Sequence, residues 1–250
     1  MARVVILGAG VAGTTAPLHL RRQIGKEHDV VVVSPNSKWN WIPSNIWVGV
    51  GQMTDKQVTF PLAPIYKRKN IEFHQALAVE LHPEGDSELH NSYVKVRYTD
   101  PTKLNQETNL EYDFLINATG PKLNFGATPG LGPDGHTWSV CTSGHATETA
   151  KEFEKVLQKL KAGQRQTLLI GMGHGTCTCQ GAAFEYTFNV EHEIRSAGVR
   201  DLAEIIYITN EERLGDFGMD GMNFGIQGNT VSSEFFTQSL FQERGVKAIL

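Results

Sequence analysis

The first residues that could do chemistry form a glycine loop close to the N-terminus. An apolar run, Val4–Leu7, leads directly into residues 8–13, whose sequence Gly-Ala-Gly-Val-Ala-Gly has the spacing Gly-x-Gly-x-x-Gly. Gly8 permits a tight turn, Gly10 lets the backbone approach a pyrophosphate, and Gly13 lets the next helix pack closely on the strand. The loop therefore predicts a dinucleotide cofactor and an enzyme that uses it.

Two thiols lie in a second glycine-rich loop. The apolar run 167–170 is followed by residues 171–179, with the sequence Gly-Met-Gly-His-Gly-Thr-Cys-Thr-Cys. Its glycines are spaced Gly-x-Gly-x-Gly, and Cys177 and Cys179 take the place where a phosphate would normally rest. Cys179 precedes a predicted helix over about 180–196, whose positive end favours the thiolate, the nucleophilic form of cysteine. This loop predicts sulfur chemistry in place of a second nucleotide.

Each cysteine also has an inert interpretation, because free cysteine is often buried as a small apolar residue. The reactive interpretation is favoured for Cys179 and the inert one for Cys177. For Cys141, which precedes a helix predicted over about 144–161, both interpretations stay open.

The composition excludes several classes of partner. The 250 residues include 23 basic and 27 acidic ones, a net charge of −4 without a basic run, which argues against nucleic acid. No apolar run approaches the ~18 residues of a membrane-spanning helix, and the glycine loop interrupts the apolar stretch that a signal peptide needs. Three cysteines make no even disulfide framework. We expect a protein that is cytoplasmic or peripheral on a membrane, and no metal site is predicted.

The elements that must position these loops alternate between strand and helix. A strand at 3–7, a helix over about 12–24 and an all-valine strand at 30–33 form the first repeat, and the valines suit a strand covered on both faces. The second repeat has strands at 167–170 and 205–209. The pattern predicts an α/β fold with two nucleotide-binding-like domains, at 1–120 and 121–250.

The segments between these repeats give further expectations. The stretch 39–51 is rich in aromatic and small residues, which indicates a loop that walls a flat ring system or a buried connector. Residues 93–98 alternate as a strand in a hairpin or meander. The second strand of the first repeat ends in Ser34-Pro35-Asn36, without the acidic residue that often holds a ribose about 20 residues after the glycines. This departure weakens a generic NAD interpretation of the first loop.

Longer motifs resemble a known family, the sulfide:quinone oxidoreductases, with the flavin subunit of flavocytochrome c sulfide dehydrogenase as a relative. The resemblance runs through essentially the whole chain. Its most specific pieces are the stretches 43–51, 118–123 and 179–186 and the cysteine at 141. It implies tandem Rossmann-like domains of the glutathione-reductase type, which bind FAD or NAD(P).

The resemblance assigns roles to individual residues. FAD would lie on the first glycine loop, at Gly8, Gly10, Gly13, Ser34, Asn36, Ser44, Thr119 and Gly120. Cys179 matches the cysteine that works next to the flavin, and Cys141 matches a second cysteine nearby. Glu185 would be an acid or base, or else a helix-surface or packing residue. His145 and His174 would carry protons if they face the ring, and would otherwise be ordinary loop or helix residues.

The chemistry that the resemblance implies is the oxidation of sulfide to sulfur or polysulfide. Hydrosulfide would attack a sulfur bridge or persulfide on the cysteine pair, two electrons would pass to FAD, and quinone would take them from the flavin. Sulfide and quinone are therefore the expected small-molecule substrates.

The family's chains are longer than this one. The second domain is therefore expected to be incomplete, without the partner cysteine, the return segment of the FAD domain and the C-terminal part that makes peripheral membrane contact. Turnover would be feeble without the second thiol. A homo-oligomer is a further possibility.

Two other interpretations stay open. One is an NAD(P)H-dependent flavoprotein reductase of the type 2 NADH:quinone reductase kind, in which Glu211 or Glu212 holds a nicotinamide ribose. The other is a non-catalytic fragment or subunit that keeps only the nucleotide fold.

Overall fold

The computed structural model describes residues 1–172 and 180–250. They form two compact units, one made of residues 1–40 and 59–123 and the other of residues 41–58 and 124–250. Within those ranges the α-helices are α1 (Val11–Gln23), α2 (Asn45–Gly49), α3 (Asp55–Val58), α4 (Ala63–Arg68), α5 (Ser143–Lys161), α6 (Gln180–Ser196) and α7 (Ser233–Arg244).

The strands of the same ranges are β1 (Arg3–Leu7), β2 (Asp29–Ser34), β3 (Lys38–Asn40), β4 (Thr59–Pro61), β5 (Glu72–His82), β6 (Tyr93–Tyr98), β7 (Glu107–Glu111), β8 (Phe114–Asn117), β9 (Gln166–Gly171), β10 (Ala203–Ile208), β11 (Asn223–Ile226), β12 (Asn229–Ser232) and β13 (Lys247–Ile249). The strands and helices predicted for the two repeats are thus confirmed, with ends that shift by a few residues at most.

The first unit is built on a sheet with the strand order β7-β6-β5-β2-β1-β8. Strands β8, β1, β2 and the start of β5 run parallel, with Val5 paired to Val31 and Leu115. The rest of β5 continues into an antiparallel meander with β6 and β7. Helix α1 follows β1, as the glycine loop predicts, and short β3 and β4 form a separate antiparallel pair.

Both faces of this sheet are covered, because side chains alternate along each strand. Val4, Ile6 and the valines paired with them pack against α1 and α4. Val5 and Leu7 face the other side, where the side chains of β6 and β7 bury them. The all-valine strand therefore has the double coverage that its sequence predicts.

The second unit has a parallel sheet with the order β13-β10-β9. Its core joins α5, α6 and α7 to this sheet, and aromatic rings of Phe184, Phe188, Tyr207 and Phe241 pack edge to face at its centre. Glu191 on α6 is fully buried, and its carboxylate accepts charged hydrogen bonds from Arg195, Arg200 and Arg244.

The prediction of a loop over 39–51 is wrong in part. Residues Ile42–Ser44 form a 3-10 helix, and α2 follows directly. Helix α2 buries Ile46 and Val48 in the second unit, where Gly49 lies so close to α6 that a Cβ atom there would be 2.9 Å from the Tyr186 ring. The helix was not predicted because five residues are too few to form a stable helix alone. Its stability comes from packing in the second unit.

The two units divide the chain differently from the predicted domains, mainly at one segment, apart from a shift of the boundary from residue 120 to 123. Residues 41–58 fall in the range 1–120 but group with the second unit. The assignment of FAD to the first domain and of redox cysteines to the second stays a prediction. Among the helices that the structure describes, none is long and apolar enough to cross a membrane.

Candidate functional site

The glycine loop of the first unit is held at the carboxyl end of the parallel strands. Gly8 N donates a hydrogen bond of 2.7 Å to Val33 O at the end of β2, and Ala118 N donates one of 2.8 Å to Leu7 O at the end of β1. Three loops therefore meet at this edge of the sheet: residues 8–13, 34–36 and 118–120. Open α/β sheets bind ligands at this edge.

Two of the glycines are required by close packing. Gly8 has φ +99°, and a Cβ atom there would lie 2.1 Å from Ala118 O. At Gly13, which is buried in α1, a Cβ atom would lie 2.2 Å from Gly8 O. No side chain fits at either position, so both glycines hold the loop against the strands.

Gly10 is different, because a Cβ atom there would meet nothing within 4 Å. It is exposed and precedes α1, whose first N–H groups have no partner in the helix. An open glycine at a helix N-terminus suits a pyrophosphate that approaches the backbone. The residues present therefore fit the phosphate groups of a dinucleotide such as FAD.

The other predicted cofactor residues of the first unit surround this edge. Ser34 is buried and its Oγ accepts a hydrogen bond from Asn36 N. Thr99 Oγ1, at the end of β6, lies 2.8 Å from Pro35 O and fixes the same turn. Thr119 is exposed and donates to Asn117 Oδ1 at 2.8 Å, and Gly120 follows with open space around it.

The remaining predicted residues belong to the second unit. Ser44 ends a 3-10 helix there and is half-buried. Cys141 is exposed and its thiol is free, and its backbone N–H donates a hydrogen bond to Ser139 Oγ. Glu185 lies on the exposed side of α6. Cys177, Cys179 and His174 lie outside the described residues, so their predicted roles stay predictions.

The start of α5 is capped by a side chain. Thr142 Oγ1 accepts a hydrogen bond from His145 N, and the His145 ring lies 5.8 Å from the Phe125 ring, centre to centre. His145 Nδ1 is buried and makes no hydrogen bond within the described part of the chain. Cys141 thus directly precedes a well-formed helix N-terminus.

Glu211 is the residue that would hold a nicotinamide ribose in the alternative interpretation. Its carboxylate accepts hydrogen bonds from groups of its own loop. The residue is buried at the end of β10. Its Oε1 accepts a hydrogen bond of 2.8 Å from Phe217 N, and its Oε2 accepts one of 3.1 Å from Thr209 Oγ1. Both carboxylate oxygens therefore close the loop 209–217, whereas Glu212 is exposed.

The fold and the first loop define a class of dinucleotide-binding proteins, and the comparison with known families agrees. The chain belongs to the family of pyridine nucleotide-disulphide oxidoreductases, which matches residues 2–194. This match confirms the α/β fold class predicted from the sequence.

Within this family, the chain is most informatively compared with individual proteins. The chain is 30% identical to the sulfide-quinone reductase of Aquifex aeolicus over 243 residues, which are 97% of this chain and 49% of that protein. The crystal structure of the sulfide:quinone oxidoreductase from the same bacterium matches with a TM-score of 0.79 and 28% identity, over 100% of this chain and 51% of the other. The resemblance found in the sequence is therefore confirmed.

A third relative represents the alternative interpretation. The mitochondrial external alternative NAD(P)H-ubiquinone oxidoreductase B1 of Solanum tuberosum is 29% identical over 131 residues, 52% of this chain and 22% of that protein. The chain spans about half the length of the two sulfide-quinone matches from Aquifex aeolicus. Its match to the Solanum tuberosum protein covers 22% of that protein.

Some residues that support the site have no local signal in the sequence. Thr14, Tyr66 and Thr99 are distant from one another in sequence and carry no motif. They are recognised only because their hydroxyl groups reach the glycine loop or the turn after β2.

Proposed function

We propose that this chain carries the FAD-binding unit and the cysteine-bearing unit of an enzyme that oxidises sulfide and reduces quinone. One observation supports this more than any other: the match to the sulfide-quinone reductase of Aquifex aeolicus extends over 97% of the chain and so includes both units. Peripheral contact with a membrane, where quinone dissolves, is part of the same proposal.

The first unit would bind FAD by its phosphates. Gly10 leaves room for the pyrophosphate beside the N-terminus of α1, and residues 34–36 and 118–120 border the same edge of the sheet. When bound, FAD supplies a two-electron acceptor that quinone can reoxidise.

The second unit would supply the sulfur chemistry. In the proposed reaction a hydrosulfide ion loses two electrons and one proton, and its sulfur stays on a cysteine as the zero-valent sulfur of a persulfide or polysulfide. Quinone takes up the two electrons, that proton and a second proton from water to become quinol. Cys179, directly before α6, is the proposed carrier, with Cys141 as a further thiol nearby and Glu185 as an acid or base.

The alternative is an NAD(P)H-dependent flavoprotein reductase. The similarity to the potato NAD(P)H-ubiquinone oxidoreductase favours it, but that match extends over 52% of the chain. Both oxygens of Glu211 accept hydrogen bonds from the residue's own loop, which argues against a role in holding a ribose. We therefore favour sulfide as the electron donor.

The experiment is a spectroscopic titration of the purified chain under anaerobic conditions, after addition of FAD and removal of the excess. We expect a yellow chromophore that is bleached by sulfide and not by NADH. Cys179→Ser should keep the chromophore and lose the bleaching, whereas the matched control Cys177→Ser should retain both. Bleaching by NADH alone would favour the reductase, and a chain that retains no flavin would favour a non-catalytic fragment.

A further inference from the structure

A chain of three hydrogen-bonding groups joins α4 to the glycine loop of the first unit. Tyr66 Oη lies 3.2 Å from Thr14 Oγ1, and Thr14 Oγ1 lies 3.1 Å from Ala9 O. Tyr66 is fully buried, and Thr14 lies in the first turn of α1. The three residues are separated by up to 57 positions, so the fold and not the local sequence brings them together.

The direction of these hydrogen bonds follows from the groups themselves. Ala9 O is a carbonyl oxygen and can only accept, so the single hydroxyl hydrogen of Thr14 is donated to it. The Tyr66 hydroxyl must then donate to Thr14 Oγ1. Burial raises the pKa of Tyr66 above its ordinary value, so the phenol keeps this proton at any pH near neutrality.

The carbonyl that Thr14 holds belongs to the peptide between Ala9 and Gly10. Because a trans peptide is planar, fixing its C=O also fixes the opposite N–H, which is that of Gly10. No hydrogen bond from Gly10 N is found in the parts of the chain that the structure covers. The N–H next to the open space at Gly10 is therefore held in one orientation without being used.

We propose that Tyr66 and Thr14 are positioning residues for the pyrophosphate of FAD, which they orient by fixing the Ala9–Gly10 peptide. The inference rests on the proposed function only in that FAD is the dinucleotide. A donor that is already oriented saves the ordering that binding would otherwise require, which raises affinity. Both hydrogen bonds are present without a ligand, so they raise affinity only through this ordering, for which we expect about fivefold for each bond.

The test measures dissociation constants of the flavin-free chain for FAD and for ADP, which carries the pyrophosphate without the flavin ring. Tyr66→Phe should weaken both about fivefold, and Thr14→Val should weaken both about tenfold because it also leaves Ala9 O without its donor. Thr14→Ser keeps the hydroxyl and should restore most of the affinity. In the Thr14→Val background, Tyr66→Phe should have no further effect.

Matched controls separate positioning from general destabilisation. Thr15→Val removes a hydroxyl from the next, exposed position of α1, and Tyr112→Phe removes one from the opposite face of the sheet; neither hydroxyl makes a hydrogen bond within the described residues. Both controls should bind FAD and ADP like the wild type. Thermal unfolding of the ligand-free variants reports any loss of stability separately.

The outcomes distinguish the two proposals. FAD and ADP affinities within twofold of wild type in both Thr14→Val and Tyr66→Phe, or no recovery in Thr14→Ser, would overturn the positioning role. A wild-type chain that binds FAD and is not reduced by sulfide would overturn the proposed function, while the affinity ratios still decide the positioning role. A wild-type chain that binds neither FAD nor ADP would overturn both.

Discussion

Both units have a parallel sheet with helices packed on it, but they differ in the polar groups that follow β2 and β10. In the first unit, Gly10 lies beside open space and β2 ends without a carboxylate. In the second unit, β10 is followed by a carboxylate, that of Glu211, but both of its oxygens bind groups of its own loop. A shared topology therefore does not by itself leave the same polar groups available to a ligand. Polar groups must also be left available to the ligand.

The largest expected effect is at the first glycine. Gly8→Ala places a Cβ atom 2.1 Å from Ala118 O on a backbone with φ +99°. We expect a loss of at least about 3 kcal/mol in the free energy of unfolding, together with loss of bound flavin, because the backbone must shift to relieve the overlap. Urea unfolding and the flavin content of the purified variant measure the two effects.

Gly25→Ala is the matched control for that change. Gly25 also has a positive φ, of +63°, but a Cβ atom there meets nothing within 4 Å. It should lose about 1 kcal/mol, the cost of a left-handed backbone alone, and keep its flavin. Wild-type flavin content in Gly8→Ala would show that the first loop does not depend on this close approach.

A smaller effect is expected in the second unit. Glu211→Ala leaves Phe217 N and Thr209 Oγ1 without their acceptor, which should lower the free energy of unfolding by about 2 kcal/mol and leave flavin content unchanged. Glu212→Ala, at the exposed neighbour, should change neither. If Glu211→Ala instead kept full stability and lost reduction of the flavin by NADH, Glu211 would be a nucleotide ligand and the contrast between the units would fail.

The smallest effect concerns pH and the meander of the first unit. The hydrogen bond from Tyr93 Oη, with two from backbone N–H groups, lowers the pKa of Asp86 to about 2. The same bond to Asp86 raises the pKa of Tyr93 to about 12. The lowered carboxyl pKa stabilises the fold above about pH 4, and this contribution disappears as the pH falls towards 2. The raised tyrosine pKa stabilises it below about pH 10, and this contribution disappears as the pH rises towards 12.

Two single substitutions test the two limbs of that profile. Asp86→Asn should flatten the loss of stability between pH 4 and 2, and Tyr93→Phe should flatten the loss between pH 10 and 12. Because one hydrogen bond causes most of both shifts, each substitution should also reduce the loss in the other range. Unfolding midpoints in urea across these ranges are the measurement. A wild-type profile in both variants would mean that the Asp86–Tyr93 bond does not contribute to stability.

Most regular elements could be predicted from the sequence because their signals are local. Apolar runs such as 4–7 and 30–33 need cover on both faces, and Thr142 carries its own capping oxygen. The helix at Asn45–Gly49 could not be predicted in this way, because five residues do not form a stable helix alone. Its burial depends on contacts with α5 and α6.

The candidate site divides in the same way. The spacing of Gly8, Gly10 and Gly13 after an apolar strand predicts a dinucleotide-binding loop. Glu211 was open to two interpretations, because no sequence pattern shows that Phe217 folds back to donate to it. Tyr66 and Thr14 could not be connected, because they lie 52 positions apart and the hydrogen bond that joins them depends on the fold.

The path of the chain has a practical consequence for anyone who wishes to isolate the first unit. That unit is discontinuous, because residues 41–58 leave it and bury Ile46, Val48 and Val58 in the second unit. A simple cut after Leu123 would strip those apolar side chains of their cover. Asn40 and Thr59, however, are already paired across the β3–β4 ladder. Two residues of hairpin turn are enough to join such a pair, so the excursion can be replaced by a short graft.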